Sequence, residues 1–148
     1  MIRFELESLV EASTEQVFDL SLSVDLHLRS MAGAREVVLR GRTTGLFEDG
    51  EQVTWRAWHF GIPWRMTSAI SQLDRPTRFI DQQVSGPFRS FHHEHLFEVH
   101  GRRTLMRDIV SFTAPYGPLG RLAEKLFLER YMRQLITRRN RVIIAQLA

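Results

Sequence analysis

Apolar and charged residues alternate at the start of the chain: Ile2, Phe4 and Leu6 are interleaved with Arg3, Glu5 and Glu7. This is the period of a strand with one face in a core, and it predicts a first strand ending near Glu11. Ser13 stands three residues before Gln16, the capping-box spacing in which each side chain satisfies an orphan amide at a helix start. The following VFDLSLSVDLHLRSM then supplies two short helical pieces. From about Glu36 to Thr113 no helical period is present; short segments are divided by turn-forming residues at 45–50, 61–63, 74–76, 86–87 and 101–103, which predicts six antiparallel strands. Pro118 is placed as a first helical residue. Beyond it Leu122, Leu126, Tyr131, Leu135, Val142 and Ile143 recur mainly at helical intervals. They predict a closing helix of about 28 residues, roughly 42 Å long.

One strand, two short helices, six strands and one long helix make an α+β order in which a single helix can cover only one face of a seven-stranded antiparallel sheet. The sheet is therefore expected to curl around the helix and to leave a pocket between them. With 148 residues, and with no linker, repeat or low-complexity segment, residues 1–148 read as a single domain.

Composition narrows the chemistry. The absence of cysteine removes disulfides, thiolate catalysis and cysteine-ligated zinc, leaving His, Asp, Glu and hydroxyl groups. No apolar run has the roughly 18 residues that a membrane helix needs, so stable membrane insertion is not expected and a cytoplasmic location is. The net charge is only +3, although the pI is about 10.1 because all but one of the basic residues are arginine. Nucleic acid is accordingly not expected as a partner. The densest basic run, TRRNR at 137–141, reads as complementing the negative end of the long helix.

A set of stretches carries a resemblance that spans the chain: DLHLRSM at 25–31, VTWRAWHFG at 53–61, DRPTRFID at 74–81, GPFRSFHHEHLF at 86–97, TLMRD at 104–108 and APYGPLGRL at 114–122. Together they resemble the helix-grip superfamily of START lipid-transfer domains, plant pathogenesis-related ligand binders and bacterial polyketide cyclase or dehydrase-like proteins. The similarity is greatest to the bacterial cyclase-like subgroup. It implies a cavity for a small hydrophobic or amphipathic molecule. Chemistry varies so widely on this fold that the resemblance names no reaction.

The candidate site lies in FRSFHHEHLF, residues 88–97. Strand side chains alternate, so Phe91, His93, His95 and Phe97 share one face and His92, Glu94 and Glu98 the other. The phenylalanines mark the inner face. In the next strand Thr104, Met106, Asp108, Val110 and Phe112 form the inner row. A two-residue turn at Gly101 and Arg102 pairs His100 with Arg103, and so sets His95 opposite Asp108 and Phe97 opposite Met106. Directly opposed side chains come close enough for His95 and Asp108 to hydrogen-bond. An outward Arg56 would turn Trp55 and His59 inward, with Trp58 and Phe60 competing for that assignment. His27 reads as an exposed helix residue near the cavity mouth.

These residues leave three readings open. His93 and His95, with His59 or Asp108, have a spacing compatible with a metal, although alternation alone is a weak signal and no metal is assigned. His95 and Asp108 are the catalytic residues if the protein is an enzyme of the cyclase or dehydrase type. The leading reading is a binding wall of Trp55, His59, Phe91, His93, His95, Met106 and Asp108 for a small hydrophobic ligand. No glycine-rich phosphate loop or other cofactor motif is present, so no cofactor is expected. The apolar tail VIIAQLA at 142–148 also allows a homodimer.

Overall fold

The computed structural model describes residues 1–148. Strand β1 (Ile2–Val10) is followed by helix α1 (Thr14–Ser21), which opens with the expected reciprocal cap between Ser13 and Gln16. A second cap, Ser23 accepting from the Leu26 amide, starts α2 (Val24–Ser30) and explains why the helical pair is broken. Six strands come next: β2 (Val37–Arg40), β3 (Gln52–His59), β4 (Ile62–Asp74), β5 (Arg78–Ser85), β6 (Ser90–His100) and β7 (Arg103–Thr113). They form one antiparallel sheet with β1, in the order β1-β7-β6-β5-β4-β3-β2. The sheet curls around a long C-terminal helix, giving the α+β helix-grip architecture.

That helix differs from the uniform rod the sequence predicts. It runs as α3 (Gly117–Ala123), a π-helical turn (Glu124–Leu128) and α4 (Glu129–Leu147). The turn holds one residue more than an α-helical one, which shifts the buried stripe. Gly120 and Glu124 face inward, while Leu122 and Leu126 are 53% and 68% exposed. Their place in the predicted buried stripe is corrected. Glu124 Oε2 accepts from the Ala114 amide at 2.8 Å, which fixes the phase. No helix is long and apolar enough to cross a membrane.

The apolar core is in two parts. A larger one joins α1 and α2 to the sheet through Phe18, Leu22, Phe79, Phe97 and Met106, and reaches Ile143 of α4. A smaller one contains Phe4, Phe91, Val110, Phe112 and Ile136. Between Phe91 and Phe97 lie His93 and His95; between Met106 and Val110 lies Asp108; between Ile136 and Ile143 lie Arg139 and Asn140. All five are buried. A polar belt thus crosses the molecule where three elements each interrupt their apolar rows.

Candidate functional site

The β6–β7 register is the one expected from the two-residue turn. His100 pairs with Arg103, Phe97 with Met106, His95 with Asp108, His93 with Val110 and Phe91 with Phe112. His93 and His95 are 4% exposed and Asp108 is fully buried. On the opposite face Glu94 pairs with Arg78 at 2.6 Å, as the outward assignment requires.

The hydrogen bond, however, is made by the other histidine. His93 Nε2 lies 2.7 Å from Asp108 Oδ1, whereas His95 Nδ1 is 3.6 Å from the same oxygen. The expected His95–Asp108 hydrogen bond is therefore corrected to a diagonal His93–Asp108 pair. Stacking supplies the reason. His95 is layered between Phe79, at 4.1 Å between ring centroids, and His93, at 3.8 Å, so its plane is set by its neighbours.

Two residues of α4 complete this network. Asn140 Nδ2 donates to Asp108 Oδ2 at 2.7 Å, and Arg139 Nη1 lies 3.5 Å from Oδ1 while donating to Asn140 Oδ1 at 3.0 Å. Burial alone would raise the Asp108 pKa, but His93, then Arg139 and Asn140, hold it below the ordinary carboxylate value. Arg139 Nη2 also reaches His95 Nδ1 at 3.4 Å. A guanidinium can only donate, so Nδ1 accepts and the His95 proton is on Nε2. Burial, then the charges of His93, Arg139 and His27, depress the His95 pKa well below its usual range, consistent with a neutral ring.

A cavity of about 570 Å³ lies between the concave sheet and α4. Trp55, His59, Phe91, His93 and His95 line it, as does Arg139. Met106 and Asp108 do not reach it. Met106 is 1% exposed and packed in the larger core, where its sulfur is 3.8 Å from the Ser21 hydroxyl; Asp108 stands behind the histidines, with its oxygens taken by His93 and Asn140. Their expected place on the wall is corrected accordingly. His59 faces in, with Nδ1 2.6 Å from the Tyr131 hydroxyl, and burial lowers its pKa. Trp58 is on the outer side, under the Arg35 guanidinium.

His27 is also corrected, because it is a cavity residue. Its ring lies 4.3 Å from Trp55, centroid to centroid, and Nε2 is 2.5 Å from Glu36 Oε1. Burial would lower its pKa, but Glu36 and, after it, Asp81 together outweigh burial and raise it. Asp81, not foreseen at all, projects from β5 across from His93. Burial pushes its carboxyl pKa up against the opposing pull of His93 and His27.

Two polar atoms in this region have no partner: His95 Nε2 and Asp81 Oδ1. One is a donor and the other an acceptor, and both residues line the cavity. Ligand atoms of His93, His95 and Asp108 lie within 4.8 Å of one another, the arrangement a metal would use. Here Arg139 already brings a cation to 3.5 Å from Asp108, and His93 Nε2 is taken up by the same carboxylate, so the set suits a hydrogen-bonded network better than an ion.

Known structures share this architecture at low identity. The protein TTHA0849 of Thermus thermophilus superposes with a TM-score of 0.77 at 17% identity, covering 99% of this chain and 100% of that one. The Zhui aromatase/cyclase from Streptomyces sp. R1128 gives 0.77 at 14% identity, over 99% and 93% of the two chains. A START superfamily protein from Mycobacterium smegmatis gives 0.74 at 12% identity, over 99% of each chain. No curated protein matches the sequence. The family described as polyketide cyclase / dehydrase and lipid transport matches residues 1–147, and with the sheet, the helix and the hollow between them the chain belongs to that family.

Proposed function

We propose that this protein binds a small molecule with an apolar body and a neutral polar head that can both donate and accept a hydrogen bond. The observation that carries this reading is that His95 and Asp81, each with one buried side-chain atom that has no partner, Nε2 and Oδ1, are among the residues lining a largely apolar cavity. Leaving such groups without partners costs about 1 to 3 kcal/mol each, and a bound hydroxyl would recover part of that. An anionic head fits poorly, because Arg139 is already paired with Asp108 and Asp81 contributes an acceptor oxygen, Oδ1, without a partner. The cavity volume falls within the range of about 300 to 1,000 Å³ of small-molecule sites. The test is calorimetric titration with a long-chain 4-alkylphenol, the matching alkylbenzene and the matching 4-alkylbenzoate. The phenol should bind about tenfold or more tightly than either analogue, equivalent to about 1.4 kcal/mol. Equal affinity for all three, or no binding of any, would discard the reading.

A second reading is favoured by the 2.7 Å contact between His93 and Asp108. If Asp108 accepts from Nε2–H, the lone pair of His93 is on Nδ1, and His93 becomes the candidate general base for a cyclisation or dehydration. Asp108 would hold the tautomer and stabilise the imidazolium. Turnover of a β-keto thioester probe that rises with pH and disappears in His93→Ala, but survives in His92→Ala, is the expected result. Turnover that survives in His93→Ala would end this second reading.

A further inference from the structure

Exposed apolar residues are concentrated on two stretches that both contribute to the cavity wall, the segment from Tyr116 to Phe127 and the β3–β4 hairpin. Tyr116, Leu119, Leu122, Leu126 and Phe127 are 83%, 73%, 53%, 68% and 46% exposed. The tip of the β3–β4 hairpin adds Phe60, Ile62 and Trp64 at 55%, 49% and 37%. The two groups meet, since the Phe60 and Phe127 rings are 5.5 Å apart edge to face. Phe60, Trp64 and Tyr116 also line the cavity, so the exposed surface continues into its interior. Isolated exposed apolar side chains are ordinary, but eight large ones on two stretches joined by the Phe60–Phe127 contact, three of them lining the cavity, mark an interaction surface.

The backbone beneath them is held in place. A methyl group at Gly120 would stand 2.0 Å from the Pro115 carbonyl oxygen, so the first turn of α3 is packed directly on the preceding segment. Glu124 ties the next turn to the Ala114 amide. The charges on this segment are also sorted. Arg121 and Lys125 are exposed beside the leucines, while Glu124, the only acid between 116 and 128, is 3% exposed and turned inward, with Met1 N at 3.5 Å. The hairpin tip at 59–65 contains no acid. An apolar rim with Trp and Tyr, flanked by the outward cations Arg121 and Lys125 and by one half-exposed acid, Glu129, which faces Arg133 at 3.8 Å, is complementary to an anionic lipid surface: aromatic rings suit the headgroup level and cations meet the negative potential.

We infer that the mouth formed by α3, the π-helical turn and the β3–β4 hairpin docks reversibly on anionic bilayers, opening the cavity toward the membrane rather than toward bulk water. This inference goes beyond the binding reading, and its test needs no cavity occupant. The full chain is sedimented with vesicles of phosphatidylcholine alone or mixed with phosphatidylglycerol, at about 0.1 M salt. Partitioning should be about tenfold or more stronger on the anionic vesicles and should weaken as salt rises. The doubly substituted Leu122→Glu/Leu126→Glu and Arg121→Glu/Lys125→Glu proteins should each lose that partitioning while keeping the wild-type melting temperature. Brominated lipid should quench tryptophan fluorescence in the wild type and not in Trp64→Phe. Absence of partitioning, equal partitioning on neutral vesicles, or retention in both double variants would overturn the inference. So would light scattering that finds a dimer abolished by Leu126→Glu, which would assign the surface to a second copy of the chain.

Discussion

Asp108 accepts the hydrogen bonds that hold the polar belt together, from His93 on its own sheet and from Asn140 on the helix. Asp108→Ala should therefore cost about 1 to 3 kcal/mol in denaturant unfolding, whereas His92→Ala on the outer face should stay within about 0.5 kcal/mol. Equal costs for the two would contradict the belt. His95 predicts a pH dependence of defined sign. Its folded pKa is held well below the ordinary 6.5, chiefly by burial and then by His93, Arg139 and His27. As pH falls through 6.5 the unfolded chain takes up a proton that the folded site refuses, so stability declines on acidification. His27 has the opposite sign, because Glu36 raises its pKa; that contribution is full below 6.5 and fades as pH rises through the folded value. The melting temperature of His95→Phe should consequently fall less than that of the wild type between about pH 7 and pH 5. The direction of His93, His95 and Asp108 was legible because strand alternation and a two-residue turn leave no freedom in parity or register. Which histidine meets the carboxylate was not, since that depends on ring stacking between strands. Arg139 and Asn140 were hidden in a basic run that reads as a solvated helix end. Only their spacing of three or four residues from Ile136 and Ile143 marks them as inward.

At the level of elements, the strands were readable from their turns, and α1 from its capping box. The C-terminal helix was the exception. Leu122 and Leu126 share a helical spacing that would bury them in a regular helix, yet the π-helical turn exposes both and buries Glu124 instead. No apolar period can reveal such a phase shift, because it goes with a carboxylate reaching the backbone amide of Ala114, in the segment just before α3. Glu124→Ala should leave the Ala114 amide without its partner and cost about 1 to 3 kcal/mol. Hydrogen exchange should locate the change: the Ala114 amide should lose protection in the variant, while amides in the centre of β6 keep theirs. Unchanged protection at Ala114 would mean that the turn is held by other contacts.

For the whole molecule, the curled sheet solves one problem and creates another. A single helix closes the concave face, but α4 leaves about 570 Å³ beside it unfilled by side chains. A cavity lined by apolar groups forgoes packing contacts, so the empty protein gives up stability that a bound molecule can return. Binding only to the folded state at a concentration about 100 times the dissociation constant contributes about 2.7 kcal/mol. For a chain of this length each kcal/mol moves the melting temperature by about 2 to 4 °C, so an alkylphenol that occupies the site should raise it by about 5 to 11 °C. Ala57, buried on the cavity wall in β3, separates filling from recognition. Ala57→Leu should raise the melting temperature of the empty protein, by about 1 to 2 kcal/mol of added apolar burial, and reduce the alkylphenol-induced shift. If Ala57→Leu instead destabilised the empty protein and left that shift intact, the hollow beside β3 would not be where the ligand binds.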